Sequence, residues 1–198
     1  MAILTPMPVN FDPKIRSALT EALQLSGYSD IIPAIIHLRV TQANSTAPLF
    51  DTYRMPGDFA FACYQIRGHI AINSLTNEVV GAGGLMDIGG VRNRVIAKAL
   101  NMRFNLNNPD RDDMRIIETD LQNSVNGVAQ NSLCLATLLP IAGGGPMDFI
   151  NDYDVTPLII NANERMKMTA QQVVALGVDD QQTEYGLVFM GALARARG

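Results

Sequence analysis

At 198 residues the chain can bury a sizeable core and falls within the size of a single domain. A net charge of −4, a pI near 5.1 and the want of any run of consecutive basic residues exclude a footprint built on phosphate neutralisation. Only 17% of residues are charged, below the usual quarter or so. Part of the surface is then covered by other chains, since interface cores are depleted of Lys, Glu and Asp, or it is a neutral surface rich in Asn, Gln, Ser and Thr.

The chain opens on an extended arm with Pro6 and Pro8, whose residues show no alternation that would let them join a sheet. It lacks the charged start and long apolar stretch of a secretory signal, and no later run reaches the roughly 18 apolar residues of a membrane-spanning helix. A soluble protein is the expectation. Asp12 followed by Pro13 forms an N-cap and first-turn pair, and Ile15, Leu19, Ala22 and Leu23 recur at helical spacing until Gly27. This predicts a helix over about residues 13 to 26 whose narrow apolar stripe packs on a surface. Residues 1–30 are thus set apart as arm and helix from a β domain over 31–198.

Ile36, Leu38 and Val40 alternate against His37, Arg39 and Thr41, which predicts a strand over 35–42 with one wet face. His37 on that wet face reads as a surface residue and not as a general base. A short strand over 49–53 precedes the densest aromatic and β-branched stretch, 56–72. There Phe59, Phe61 and Cys63 share one parity and Ile66, Ile70 and Ile72 the other, so the apolar face is expected to switch at a bulge or bend at Gly68. The glycine-rich segment 81–90 has neither the dinucleotide-binding spacing nor a Gly-Lys-Ser/Thr ending, and reads as a pliable loop suited to contact with a neighbouring chain.

From Val95, Ile96, Leu100, Met102, Phe104 and Leu106 share a face opposite Asn101, Arg103 and Asn105, and the turn residues 107–110 end that strand. Further strands are expected over 114–121 and, buried on both faces, over 132–141. After the break at Gly143-Gly144-Gly145-Pro146, two more strands flank turns: Met166, Met168 and Ala170 alternate after a tight turn at 161–164, and Tyr185, Leu187 and Phe189 alternate near the C-terminus. Six or more short strands with one helix predict a mainly β protein, an antiparallel sandwich.

Chemistry is sparse. Cys63 and Cys134 lie in apolar strand-like runs, where a thiol acts as a small hydrophobe, and their spacing neither requires nor forbids a disulfide. Together with His37 and His69 they show no ligand spacing for zinc. Asp112 with Asp113, and Asp152 with Asp154, read as solvated turns, the latter without the spaced carboxylates of a calcium loop. Arg92 with Arg94, and Arg195 with Arg197, read as a solvated strand face or tail. No nucleophile elbow, zinc motif or Cys–His pairing stands out, so no catalytic, cofactor-binding or metal residue is nominated and no cofactor is expected.

Three stretches, Pro56 to Ile72, Pro157 to Met168 and Tyr185 to Gly191, carry a resemblance of pattern to jelly-roll β-sandwich structural proteins of bacteriophage virions. It covers about residues 50 to 193 and leaves the N-terminal arm and helix outside. The resemblance implies a jelly-roll sandwich that is no enzyme, located in a virion as a capsid, vertex, collar or tail component. Its expected partners are copies of itself and other virion proteins, with no direct nucleic-acid or membrane contact. The alternative reading is a sandwich module that recognises a host-surface glycan, against which stand the absence of Trp and the 6% aromatic content.

Overall fold

The computed structural model describes residues 3–6, 12–25, 27–41, 46–72, 102–110, 114–115, 133–138, 147–148, 157–172 and 183–196. Its elements in chain order are β1 Ile3–Pro6, α1 Pro13–Leu25, β2 Tyr28–Thr41, β3 Leu49–Arg54, β4 Phe59–Ile72, β5 Met102–Asn108, β6 Met114–Arg115, β7 Leu133–Cys134, a 3-10 turn Leu135–Leu138, β8 Met147–Asp148, β9 Leu158–Ile160, β10 Arg165–Gln172 and β11 Thr183–Ala196. The protein is mainly β. One antiparallel sheet runs β1-β2-β11-β4, with β8 and β9 following one another along the far edge of β4. The second runs β3-β10-β5, with β6 and β7 along the far edge of β5.

Alternation decides which side chains lie between the sheets. Ile36, Leu38, Leu187 and Phe189 of the first sheet meet Phe104, Leu106, Met166 and Met168 of the second in one core. Burial alternates without a break along β5 and β10, as their sequence periodicity predicts. The turn at 161–164 forms, with Asn163 at φ 65° and the Glu164 amide donating to the Asn161 carbonyl. It does not close a hairpin, because β9 belongs to the first sheet and β10 to the second. The Met55 and Asn163 amides instead exchange hydrogen bonds with the Glu164 and Met55 carbonyls, which ties this crossing to the end of β3.

Helix α1 starts and stops where its cap residues dictate. Asp12 Oδ1 accepts the Lys14 amide at 2.8 Å, and Gly27, at φ 82°, donates its amide to the Gln24 carbonyl. Its stripe lies on the outer face of the first sheet, where Leu19 and Leu23 are fully buried against Ala60, Ala62, Tyr64, Ala192 and Ala194. Small residues on β4 and β11 let the helix approach the sheet closely. The arm does not stay out of the sheets as its prolines led us to expect: Ile3–Pro6 pairs with Ala34–His37 as an edge strand, a position where a missing Pro amide costs no ladder bond on the open side.

The facing of β4 also differs from expectation. The bulge is at Tyr64, which the β4–β11 register skips, since Met190 pairs with Gln65 and Gly191 with Cys63. The extra residue resets the parity, so Phe59, Phe61 and Cys63 before it and Ile66 and Ile70 after it all face the same core. Gly68 is regularly paired with Leu187; a Cβ there would press on Leu135 and Leu138 of the 3-10 turn, at 2.9 and 3.1 Å. That turn is a further correction, since among the described residues of the stretch expected as a strand over 132–141 only Leu133 and Cys134 pair, before the chain curls to bury Leu135 and Leu138. The glycine-rich 81–90, Ile96, Leu100 and most of 114–121 lie outside the described residues.

Replacing Leu23 with Ala is expected to lower the unfolding free energy by about 2–5 kcal/mol, the range for a fully buried Leu. Urea denaturation checks this, and an unchanged midpoint would mean that the helix is not held on the sheet.

Candidate functional site

Beyond the footprint of α1, the outer face of the first sheet brings His37, His69, Arg39 and Glu184 close together. Gly186 on the central strand β11 is flanked by Arg39 on β2 and His69 on β4. A Cβ at Gly186 would collide with the Leu38 carbonyl of β2, and imidazoles from β2 and β4, which are not neighbours, reach each other across β11. The His37 and His69 rings meet edge to face, with centroids 4.3 Å apart and planes at 79°. Beside them Arg39 Nη1 donates to Glu184 Oε2 at 3.1 Å, and the Arg39 amide donates to Asp51 Oδ2 at 3.1 Å.

The electrostatics keep the pair neutral at pH 7. Burial, then His69 and Arg39, lower His37 to about 4, against a weaker upward pull from Glu184 and Asp51. His69 is lowered as well, chiefly by burial, with Arg39 adding to the shift and Glu184 opposing it. His37 Nε2 is buried without a hydrogen-bond partner. Among the described residues no three His, Cys, Asp or Glu side chains converge as a metal site. The arrangement therefore offers a neutral, polar patch of weakly basic imidazoles. Next to it a shallow depression of 330 Å³, lined by Arg39, Val40, Thr41, Pro48, Leu49, Phe50 and Asp51, opens between the end of β2 and β3.

Sequence reading placed His37 on the wet face of its strand, and it does lie on the outer face, but half-buried against His69. The pairing was not visible in advance because it depends on the Tyr64 bulge, which turns His69 outward. Cys63 is a free, fully buried thiol whose Sγ donates to the Gln65 carbonyl at 3.2 Å, and burial pushes its pKa up. The Cys134 side chain lies outside the described residues, as do Asp112, Asp113, Asp152, Asp154, Arg92, Arg94 and Arg197. Arg195 is exposed within β11, opposite Ser29 and Phe59, and so belongs to a strand and not to a tail. Among the described residues no helix is long and apolar enough to cross a membrane.

Compared with known proteins, the chain matches no family model, no curated protein and no solved structure.

The lowered His37 sets a direction for stability against pH. The unfolded chain binds a proton at this residue near pH 6.5 and the folded one only near 4, so its contribution is complete above 6.5 and is lost as pH falls toward 4. Because the ring is half-buried, screening reduces the effect to on the order of 1–2 kcal/mol. His37→Gln is expected to flatten the stability curve across this window relative to the wild type, measured by denaturation at stepped pH; parallel curves would show that His37 does not feel burial.

Proposed function

We propose that the chain is a structural, non-enzymatic subunit of a virion, a jelly-roll sandwich that assembles with copies of itself and with other virion proteins. The observation that carries this reading is the nesting of the strand pairs. β2 pairs with β11, β3 with β10, β4 with β8 and β9, and β5 with β6 and β7, so each pair encloses the next along the chain. Successive pairs alternate between the sheets, giving β2-β11-β4 in one and β3-β10-β5 in the other. A long antiparallel ribbon wrapped into two sheets has this order, which is the plan of the double-sheet jelly rolls found in viral capsids.

The same fold also serves lectins and cupins, so fold alone does not choose among functions. The assembly reading draws further support from the low charged content and from Phe50, which stays 69% exposed on the outer face of the second sheet. The experiment is the native mass of the purified chain by light scattering over a range of concentrations. A closed multi-subunit species is expected. A single-chain mass throughout, together with absence of the chain from purified virions, would overturn the proposal.

A further inference from the structure

No helix among the described residues covers the outer face of the second sheet, in contrast to the first. Alternation along β3, β10 and β5 turns Arg54, Arg165, Lys167 and Arg103 to that side, where the ring of Phe50 is also exposed. The register sets Arg165 directly opposite Arg54, an unfavourable like-charge pair. Asp110 relieves it, taking the Arg165 guanidinium in hydrogen bonds of 2.6 to 3.0 Å, and Arg165 in turn holds the Asp110 carboxyl below its usual range. Among the described residues no other carboxylate joins this face. The Lys167 ammonium stands 5.6 Å from the Phe50 ring centroid, and Asn107 Oδ1 on the same side has no hydrogen-bond partner.

Four cations against one carboxylate make this a positive face on a chain whose net charge is −4, so the balance of the molecule is more acidic than its total. We propose that this face is a docking surface for a second copy of the chain, which presents an acidic part of its own surface to it. The inference rests on the assembly reading and adds to it the face, the partner surface and the mode of contact. Two positive faces cannot meet each other without like-charge cost, so the face meets a different, acidic patch of the second copy. An exposed aromatic on a face that also carries Arg and Lys has the composition of an interface hot spot: Phe50 supplies apolar burial and the cations fix register and speed encounter.

The test is sedimentation velocity on the full chain at low and high salt, comparing wild type with Phe50→Ser/Lys167→Glu and, separately, Arg103→Glu. All three positions face outward, so circular dichroism and melting temperature are expected to stay near those of the wild type. Self-association of the wild type should weaken in high salt, and the double variant should associate at least ~10-fold more weakly, with a smaller loss for Arg103→Glu. Wild-type oligomers that persist unchanged in both variants would overturn the inference while leaving the assembly reading intact; a wild type that is monomeric under all conditions would overturn the inference, and the assembly reading too if the chain is also absent from purified virions. Retention on a heparin column that the variants lose, with self-association unaffected, would give the face to nucleic acid and would also overturn it.

Discussion

Strand β11 has to serve two neighbours with one set of side chains, and the way it does so governs the molecule. Opposite β2 it keeps a single register from Glu184 to Ala194, while opposite β4 it skips Tyr64 between Met190 and Gly191. Had β4 run without the extra residue, the parity that places Phe61 and Cys63 in the core would also have sent Gln65, Arg67 and His69 inward. The bulge instead returns Ile66 and Ile70 to the core and turns His69 out toward His37. Tyr64 itself fills the layer beneath α1. One inserted residue thus determines the core, the seat of the helix and the histidine pair. Gly191 opposes this region at a point where a Cβ would collide with the Ala62 carbonyl and the Phe61 ring.

At one corner where the two sheets meet, a single carboxylate occupies an edge amide. Asp51, on the edge strand β3, accepts the Arg39 amide from β2 through one oxygen and the Thr52 amide of its own strand through the other. Unpaired edge amides invite pairing with another chain, and an inward-turned charge is one of the ways natural sheets block it. The clasp joins first sheet to second at the corner where β1 no longer covers β2. It also holds a negative charge near Arg39 and His37, so the same residue that guards the edge contributes to the field of the histidine pair.

How far the sequence could be read follows from how local each signal is. The Asp12 cap, the Ile15–Leu23 stripe and the Gly27 stop act within one or two turns, and α1 lies where they place it. Strands with one buried face, such as β5 and β10, announce themselves by strict alternation. The four residues of β1 carry no such pattern; they pair because β2 presents an open edge, which is a tertiary fact. A parity break inside an apolar run has two explanations, a change of facing or an inserted residue, and only the partner strand distinguishes them. The contact of His37 with His69 was hidden for the same reason, being a product of register across three strands.

The two outer faces are consequently unlike, and this bears on how the protein responds to its surroundings. The first sheet spends part of its outer face on α1, with Leu19 and Leu23 fully buried, and the rest on a half-buried neutral imidazole pair. Acid adds charge there, where Arg39 already stands, and opposes the packing of β2, β11 and β4. The second sheet keeps its cations and Phe50 outside, where salt screens them and the fold does not depend on them. The His37–His69 contact belongs entirely to β2 and β4, neither of which contributes to the outer face of the second sheet. Loss of stability in acid and loss of the proposed contact in salt would therefore act on opposite sides of the sandwich, and each could occur without the other.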